Sequence, residues 1–120
     1  MSELCFLSAV ELTELIQTGK IKSEDLAKSY IERYDKFEKK VKAWAHYDKN
    51  FILKKSIDCD DLKNIGRPTG PLHGLPIAVK DIFGTDEMPT ECGTILRKKK
   101  YSKGDAFVCL LYTSPSPRDA

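Results

Sequence analysis

Gly70-Pro71-Leu72-His73-Gly74-Leu75-Pro76-Ile77-Ala78-Val79-Lys80-Asp81-Ile82-Phe83 is the stretch on which the fold assignment turns. From Gly66 to Pro76, three glycines (Gly66, Gly70, Gly74) are interleaved with Pro68, Pro71 and Pro76, a composition that excludes regular helix and marks a constrained loop. Gly74 and Pro76 are expected to hold the approach to the next element rather than to touch a ligand, since glycine supplies backbone angles closed to other residues. That next element, Ile77 to Phe83, is a short apolar run with two charges near its end, bounded by Pro76 and Gly84, and it predicts a buried strand. A lysine in such a strand is costly to desolvate unless it is paired or gives up its proton. Two readings of Lys80 therefore stand side by side. It pairs with Asp81 or points outward at the strand end, or burial leaves it free of its proton and able to act as a general base at neutral pH.

Upstream the signals are helical. Ser8 with Glu11 forms a capping box, Leu7 and Leu12 occupy the positions of a hydrophobic staple, and Gly19 ends the first helix. Ser23, followed by Glu24 and Asp25, starts a second. Leu26, Tyr30, Tyr34, Phe37, Val41 and Trp44 recur at helical spacing, a stripe expected to face the core, with the helix ending near Lys40. A short strand from Ala43 to Tyr47 is the alternative for the end of that pattern. Asp48 caps a third, polar helix that runs to about Leu62.

Composition bounds the rest. With 120 residues, 41% hydrophobic and 32% charged, the chain has the makeup of one small globular domain. Residues 1–60 hold eleven charges of each sign and residues 61–120 nine basic against seven acidic, so neither half is a basic tail, and the one charge run, Arg97-Lys98-Lys99-Lys100, reads as a solvated loop or helix end rather than a nucleic-acid patch. No window approaches the roughly 18 apolar residues of a membrane-spanning helix, and no secretory leader is recognisable. Cys5, Cys59, Cys92 and Cys109 form no C-x-x-C pair, so they read as reduced thiols, without a zinc or redox site.

Residues 70–81 resemble the G-P-L-x-G-[IL]-P-x-x-[VI]-K-D segment of the amidase signature family. Thr85, Met88-Pro89-Thr90 and Cys92-Gly93-Thr94 are similar to its T-x-x-M-P-T-x-x-G-S, with Thr94 where serine is more common, and Asp105-Ala106-Phe107-Val108 is similar to its D-A-x-V at the start of the next helix. The resemblance implies an α/β fold, with N-terminal helices plus the first strands of the amidase-signature mixed sheet, incomplete here: residues 1–108 read as the N-terminal fragment of an amidase domain. It implies an amide-bond hydrolase that releases ammonia or amine through a Ser-cisSer-Lys triad. The matching lysine, Lys80, is the base that deprotonates a bridging serine, which in turn activates the nucleophilic serine. The expected partner is a small-molecule amide, whether aliphatic, aromatic, peptide-like or urea-type. No cofactor or metal, no nucleic acid and no membrane are expected, the location is cytoplasmic, and a homodimer is open to the full-length form.

The chain departs from the family pattern after Val108. Residues 109–120 read as a non-native tail, since Cys109 to Asp119 resembles the in-frame translation of a sequencing-library adapter. The serines after Lys80 are Ser102, Ser114 and Ser116, and none lies in a Gly/Ser-rich segment of the kind that carries the family's serines. Two rivals to a stand-alone amidase remain. One is the glutaminase component (A) of glutamyl-tRNA(Gln) amidotransferase, which tends to show A-S where this chain has Gly93-Thr94. The other is a non-catalytic helical module that binds a partner along the Leu26 to Trp44 stripe. The 120-residue chain, purified as written, should release no ammonia or amine from amides; ammonia release that a serine-directed inhibitor abolishes would refute this.

Overall fold

The computed structural model describes residues 3–113. Contacts divide the chain into two compact units, Met1–Trp44 with Asp48–Pro76, and Ala45–Tyr47 with Ile77–Ala120. The first unit holds a 3-10 turn at Leu4–Phe6 and three helices, α1 (Ala9–Gln17), α2 (Ser23–Val41) and α3 (Lys49–Asn64); the second holds a 3-10 turn at Ile95–Arg97 and α4 (Phe107–Thr113).

Of the helices of the first unit, α1 and α3 begin and end where local chemistry dictates. Ser8 caps α1 reciprocally with Glu11, whose carboxylate accepts the Ser8 backbone N–H and hydroxyl, both at 2.8 Å. Those bonds, the backbone one foremost, hold the Glu11 carboxyl below its ordinary pKa. At the other end Gly19 takes a φ of +76°, and the Lys20 and Gly19 N–H groups turn back to Leu15 O and Ile16 O. The same paired bonds close α3, with Gly66 at φ +75° and Arg67 N–H on Leu62 O. Asp48 caps the start of α3 by accepting the Phe51 N–H at 3.0 Å.

The second helix, α2, starts at Ser23 as expected, but its cap is not local. Ser23 is the first helical residue rather than the cap, and Lys22 at the cap position offers no side-chain acceptor. The capping group comes from α3. The Asp60 carboxylate accepts the Ser23 N–H at 2.8 Å and the Glu24 N–H at 3.0 Å, while Asp25 accepts the Lys22 N–H. The Ser23 hydroxyl is thereby free to donate to Gly74 O at 2.6 Å. Lys63 of α3 donates to Ile16 O, placing a cation at the C-terminal end of α1. Nearby, His73 Nε2 donates to Cys59 O at 2.7 Å, and burial pushes the Cys59 thiol up from its ordinary pKa.

The core is small: Leu12, Ile16 and Leu26, with Leu4, Leu7, Ile21, Tyr30 and Leu75 packed against them. Only the N-terminal half of the α2 stripe reaches it. Phe37, Val41 and Trp44 are exposed, beyond the part of α2 that packs into the core. The Arg33 guanidinium lies over the rings of Phe6 (4.9 Å) and Phe37 (5.0 Å) and partly covers them. Trp44 ends in irregular chain, not in the alternative strand at Ala43–Tyr47.

The α/β assignment does not hold for these residues. Among the described residues there is no strand, only an isolated antiparallel bridge between Pro89 and Tyr101, and the elements are helical. Ile77–Lys80 is irregular chain that passes into a turn at Asp81, and Ile77, Ile82 and Phe83 are exposed by 42%, 56% and 41%. The physical reason is that an apolar run becomes a buried strand only when neighbouring strands take up its N–H and C=O groups. No such neighbour exists among the described residues, and Lys80 is exposed with most of the run.

Gly74 sits where the core meets the Gly/Pro loop. Its φ is +80°, and an added Cβ would stand 3.2 Å from Ser23 Cβ and 3.4 Å from Ile16 Cγ2. Gly74→Val should therefore destabilise the full-length protein by about 1–3 kcal/mol, the usual cost of a strained φ together with overpacking. Denaturant unfolding checks this, and an unchanged midpoint with an altered substrate preference would assign the loop to binding instead.

Candidate functional site around Lys80

Among the described residues the second unit has no sheet to satisfy its backbone, so side chains and turns do that work. Lys80 O accepts the Phe83 N–H at 3.1 Å, closing a turn directly after the lysine. Asp81 does not pair with Lys80. Its Oδ1 accepts the Glu91 N–H at 2.9 Å and its carbonyl accepts the Cys92 N–H at 3.0 Å, so the Lys80 turn is tied to the segment ten residues on.

That segment is itself a tight turn. Cys92 and Gly93 both have positive φ, +53° and +69°, and the Thr94 N–H closes on Glu91 O at 3.1 Å. The Thr94 hydroxyl caps the following 3-10 turn through the Leu96 N–H at 3.3 Å. Thr90, only 4% exposed, is the hub. Its N–H donates to Lys100 O at 2.7 Å, its hydroxyl to Phe83 O at 3.3 Å, and its carbonyl accepts Arg97 Nε at 3.3 Å. Lys98, Lys99 and Lys100 are exposed on this loop, and the Lys99 N–H bonds Glu91 Oε1 at 2.8 Å.

Thr85 is buried with its hydroxyl on Met88 O, and Ser102 donates to Gly104 O (2.6 Å) and Thr85 O (3.3 Å). Asp105 accepts the Asp86 N–H at 2.8 Å, and the Ala106 N–H bonds Gly84 O at 2.8 Å just before α4 begins. The motif residues Thr85, Thr90, Thr94 and Asp105 are thus joined to the backbone around them. Reading along the chain misses Asp81 and Thr90 as organising groups, because their partners lie 7 to 10 residues away and leave no local spacing signal. Of residues 109–120, those from 114 onward, with Ser114 and Ser116, lie outside the described residues.

The sequence profile of the Amidase family matches residues 25–114, and the chain belongs to that family. Its relatives include the A component of the glutamyl-tRNA(Gln) amidotransferase of Salinispora tropica, 33% identical over 94 residues, covering 78% of this chain and 19% of that protein. The corresponding protein of Thermobifida fusca is 32% identical over 108 residues, 90% of this chain and 22% of that protein. The chain thus spans about a fifth of the length of these relatives. The fold matches a chain from the inhibitor-bound structure of a vestigial protein complex tied to the origins of an s-triazine catabolic enzyme. There the TM-score is 0.75 at 22% identity, over 83% of this chain and 22% of that one. Among the described residues, no helix is long and apolar enough to cross a membrane.

Gly84 is the close approach in this unit. An added Cβ would lie 2.7 Å from Ser102 Oγ and 2.9 Å from Ser102 Cβ, neither of which can swing away without giving up the bonds to Thr85 and Gly104. Gly84→Ala in the full-length protein should lower stability by about 1–3 kcal/mol, as overpacking does. Wild-type Tm would show that Ser102 does not pin this loop.

Proposed function

We propose that the protein to which this chain belongs hydrolyses linear C–N amide bonds, with Lys80 as the base. The observation that carries the reading is the Lys80-Asp81 pair at the end of the Pro71–Asp81 segment, in a chain that belongs to the Amidase family. Lys80 in its free-amine form takes a proton from a bridging serine hydroxyl, and that serine takes one from the nucleophilic serine. The nucleophile's oxygen bonds to the amide carbon and the C–N bond breaks. The relayed proton goes to the departing nitrogen, and ammonia or amine leaves. Water then bonds to the acyl carbon, its proton passes along the same relay to the serine oxygen as the ester C–O bond breaks, and the carboxylic acid leaves with both serines and Lys80 restored. Both serines lie outside this chain on this reading, since none of Ser102, Ser114 and Ser116, the serines after Lys80, stands in a Gly/Ser-rich segment.

Residues 1–108 are, on the same reading, the N-terminal part of the amidase domain and 109–120 an adapter-derived tail. The enzyme works in the cytoplasm on small amides, on the same reading.

A second reading is favoured by the names of the relatives, which are the A components of glutamyl-tRNA(Gln) amidotransferases. The same lysine would then serve to release ammonia from glutamine inside a complex. Turnover of simple amides by the full-length protein alone supports the first reading; ammonia release from glutamine only with partner proteins present supports the second. Under either, Lys80→Ala should lower kcat by at least about 100-fold, the low end of general-base contributions, with Tm little changed. Near-normal turnover by that variant refutes the role.

A further inference from the structure

We infer that Asp81 is a positioning residue for Lys80, its carboxylate and carbonyl clasping the Glu91-Cys92 backbone so that the turn carrying the lysine is held in one place. The inference rests on the reading of Lys80 as the base. Three observations carry it. Asp81 is half-buried between two exposed neighbours, Lys80 and Ile82, so it alone of the three faces inward. It makes two bonds to adjacent residues of one segment, Oδ1 to the Glu91 N–H at 2.9 Å and its carbonyl to the Cys92 N–H at 3.0 Å, which together restrain both its side chain and its peptide plane. The segment it grips is anchored in turn, by the Thr90 N–H on Lys100 O at 2.7 Å and by Glu91 Oε1 on the Lys99 N–H at 2.8 Å.

The residue next to a flexible lysine thus supplies the fixed point from which that lysine is aimed. Asp81 acts as a hydrogen-bond acceptor here, not as the counter-ion of the ammonium. That distinction makes the two obvious substitutions behave differently. Asparagine keeps the Oδ1 acceptor and loses the charge, whereas alanine loses both. Misplacement of a reacting group by about 1 Å can cost about 100-fold, so even partial release of the clasp should be visible in kcat.

The test uses the full-length protein and the amide it turns over best. Asp81→Ala should lower kcat at least about 10-fold with KM changed by less than about threefold, and Asp81→Asn should restore most of kcat. Amide exchange at Glu91 should speed up in the alanine variant and stay slow in the asparagine one. In a Lys80→Ala background, Asp81→Ala should cost nothing further, because a residue that acts only through Lys80 has nothing left to position. The inference is overturned by wild-type kcat in Asp81→Ala, by Asp81→Asn falling as far as Asp81→Ala, or by the same loss recurring without Lys80. If Asp81→Ala does not fold, the asparagine variant decides: turnover near wild type with a protected Glu91 amide supports the clasp, and a loss beyond about 10-fold refutes it. An inactive Lys80→Ala beside a fully active Asp81→Ala overturns the positioning role alone, whereas an active Lys80→Ala removes the base and the positioning role together.

Discussion

The first unit depends on how the N-terminus of α2 is satisfied. A helix start leaves N–H groups that must find acceptors, and Lys22 at the cap position cannot supply one. Asp60, thirty-seven residues on from Ser23, supplies two, through Ser23 and Glu24. A carboxylate at this position also meets the positive end of the helix dipole, so the bond is favourable beyond its geometry. One side chain therefore sets where α3 lies against α2. The freed Ser23 hydroxyl then fixes Gly74 O, and with it the loop that leads towards Lys80. Had Lys22 been a serine or aspartate, α2 would cap itself and this tertiary link would have less to do. The contact that defines the unit is thus made necessary by a locally deficient sequence.

The second unit solves a related problem mostly with loops, its regular elements being the 3-10 turn and α4. Loops are tolerated only where their polar backbone groups find partners. Here Asp81, Thr85, Thr90, Thr94, Ser102 and Asp105 each take part in a bond to a backbone group. Short polar side chains suit this because they reach their own neighbourhood without much loss of rotamer freedom. The positive φ values of Cys92 and Gly93 fall where the chain must reverse to bring Glu91 back towards Asp81.

What is legible in the sequence divides along the same line. The helices can be read because their signals are local: Ser8 with Glu11, Gly19, Asp48 and the period of Leu26 and Tyr30 each act within one or two turns. The α2 cap cannot, since nothing near Lys22 announces Asp60. The stripe faces the core as far as Tyr30 but not on to Trp44, because periodicity says which face is apolar and not how far a partner helix reaches along it. Ile77 to Phe83 fails as a strand for a comparable reason. An apolar run records a preference for burial, but the burial itself needs neighbouring chain. The motif residues around Lys80 are legible as a group through resemblance, and their bonds, above all those of Asp81, are not.

The exposure of Lys80 bears directly on the proposed chemistry. A lysine base is useful at neutral pH only if its surroundings disfavour the ammonium, and desolvation is the usual means. Within these residues Lys80 and its neighbours Ile77, Ile82 and Phe83 all face solvent. The unit therefore ties down the turn that carries Lys80, through Asp81, but does not enclose the lysine. If Lys80 is the base, the groups that enclose it are other than the described residues around it. The exposed side chains of Ile77, Ile82 and Phe83 are then the surface on which that enclosure would close. An apolar run with the pattern of a strand and an exposed lysine with the look of a misplaced charge thus have the same physical origin.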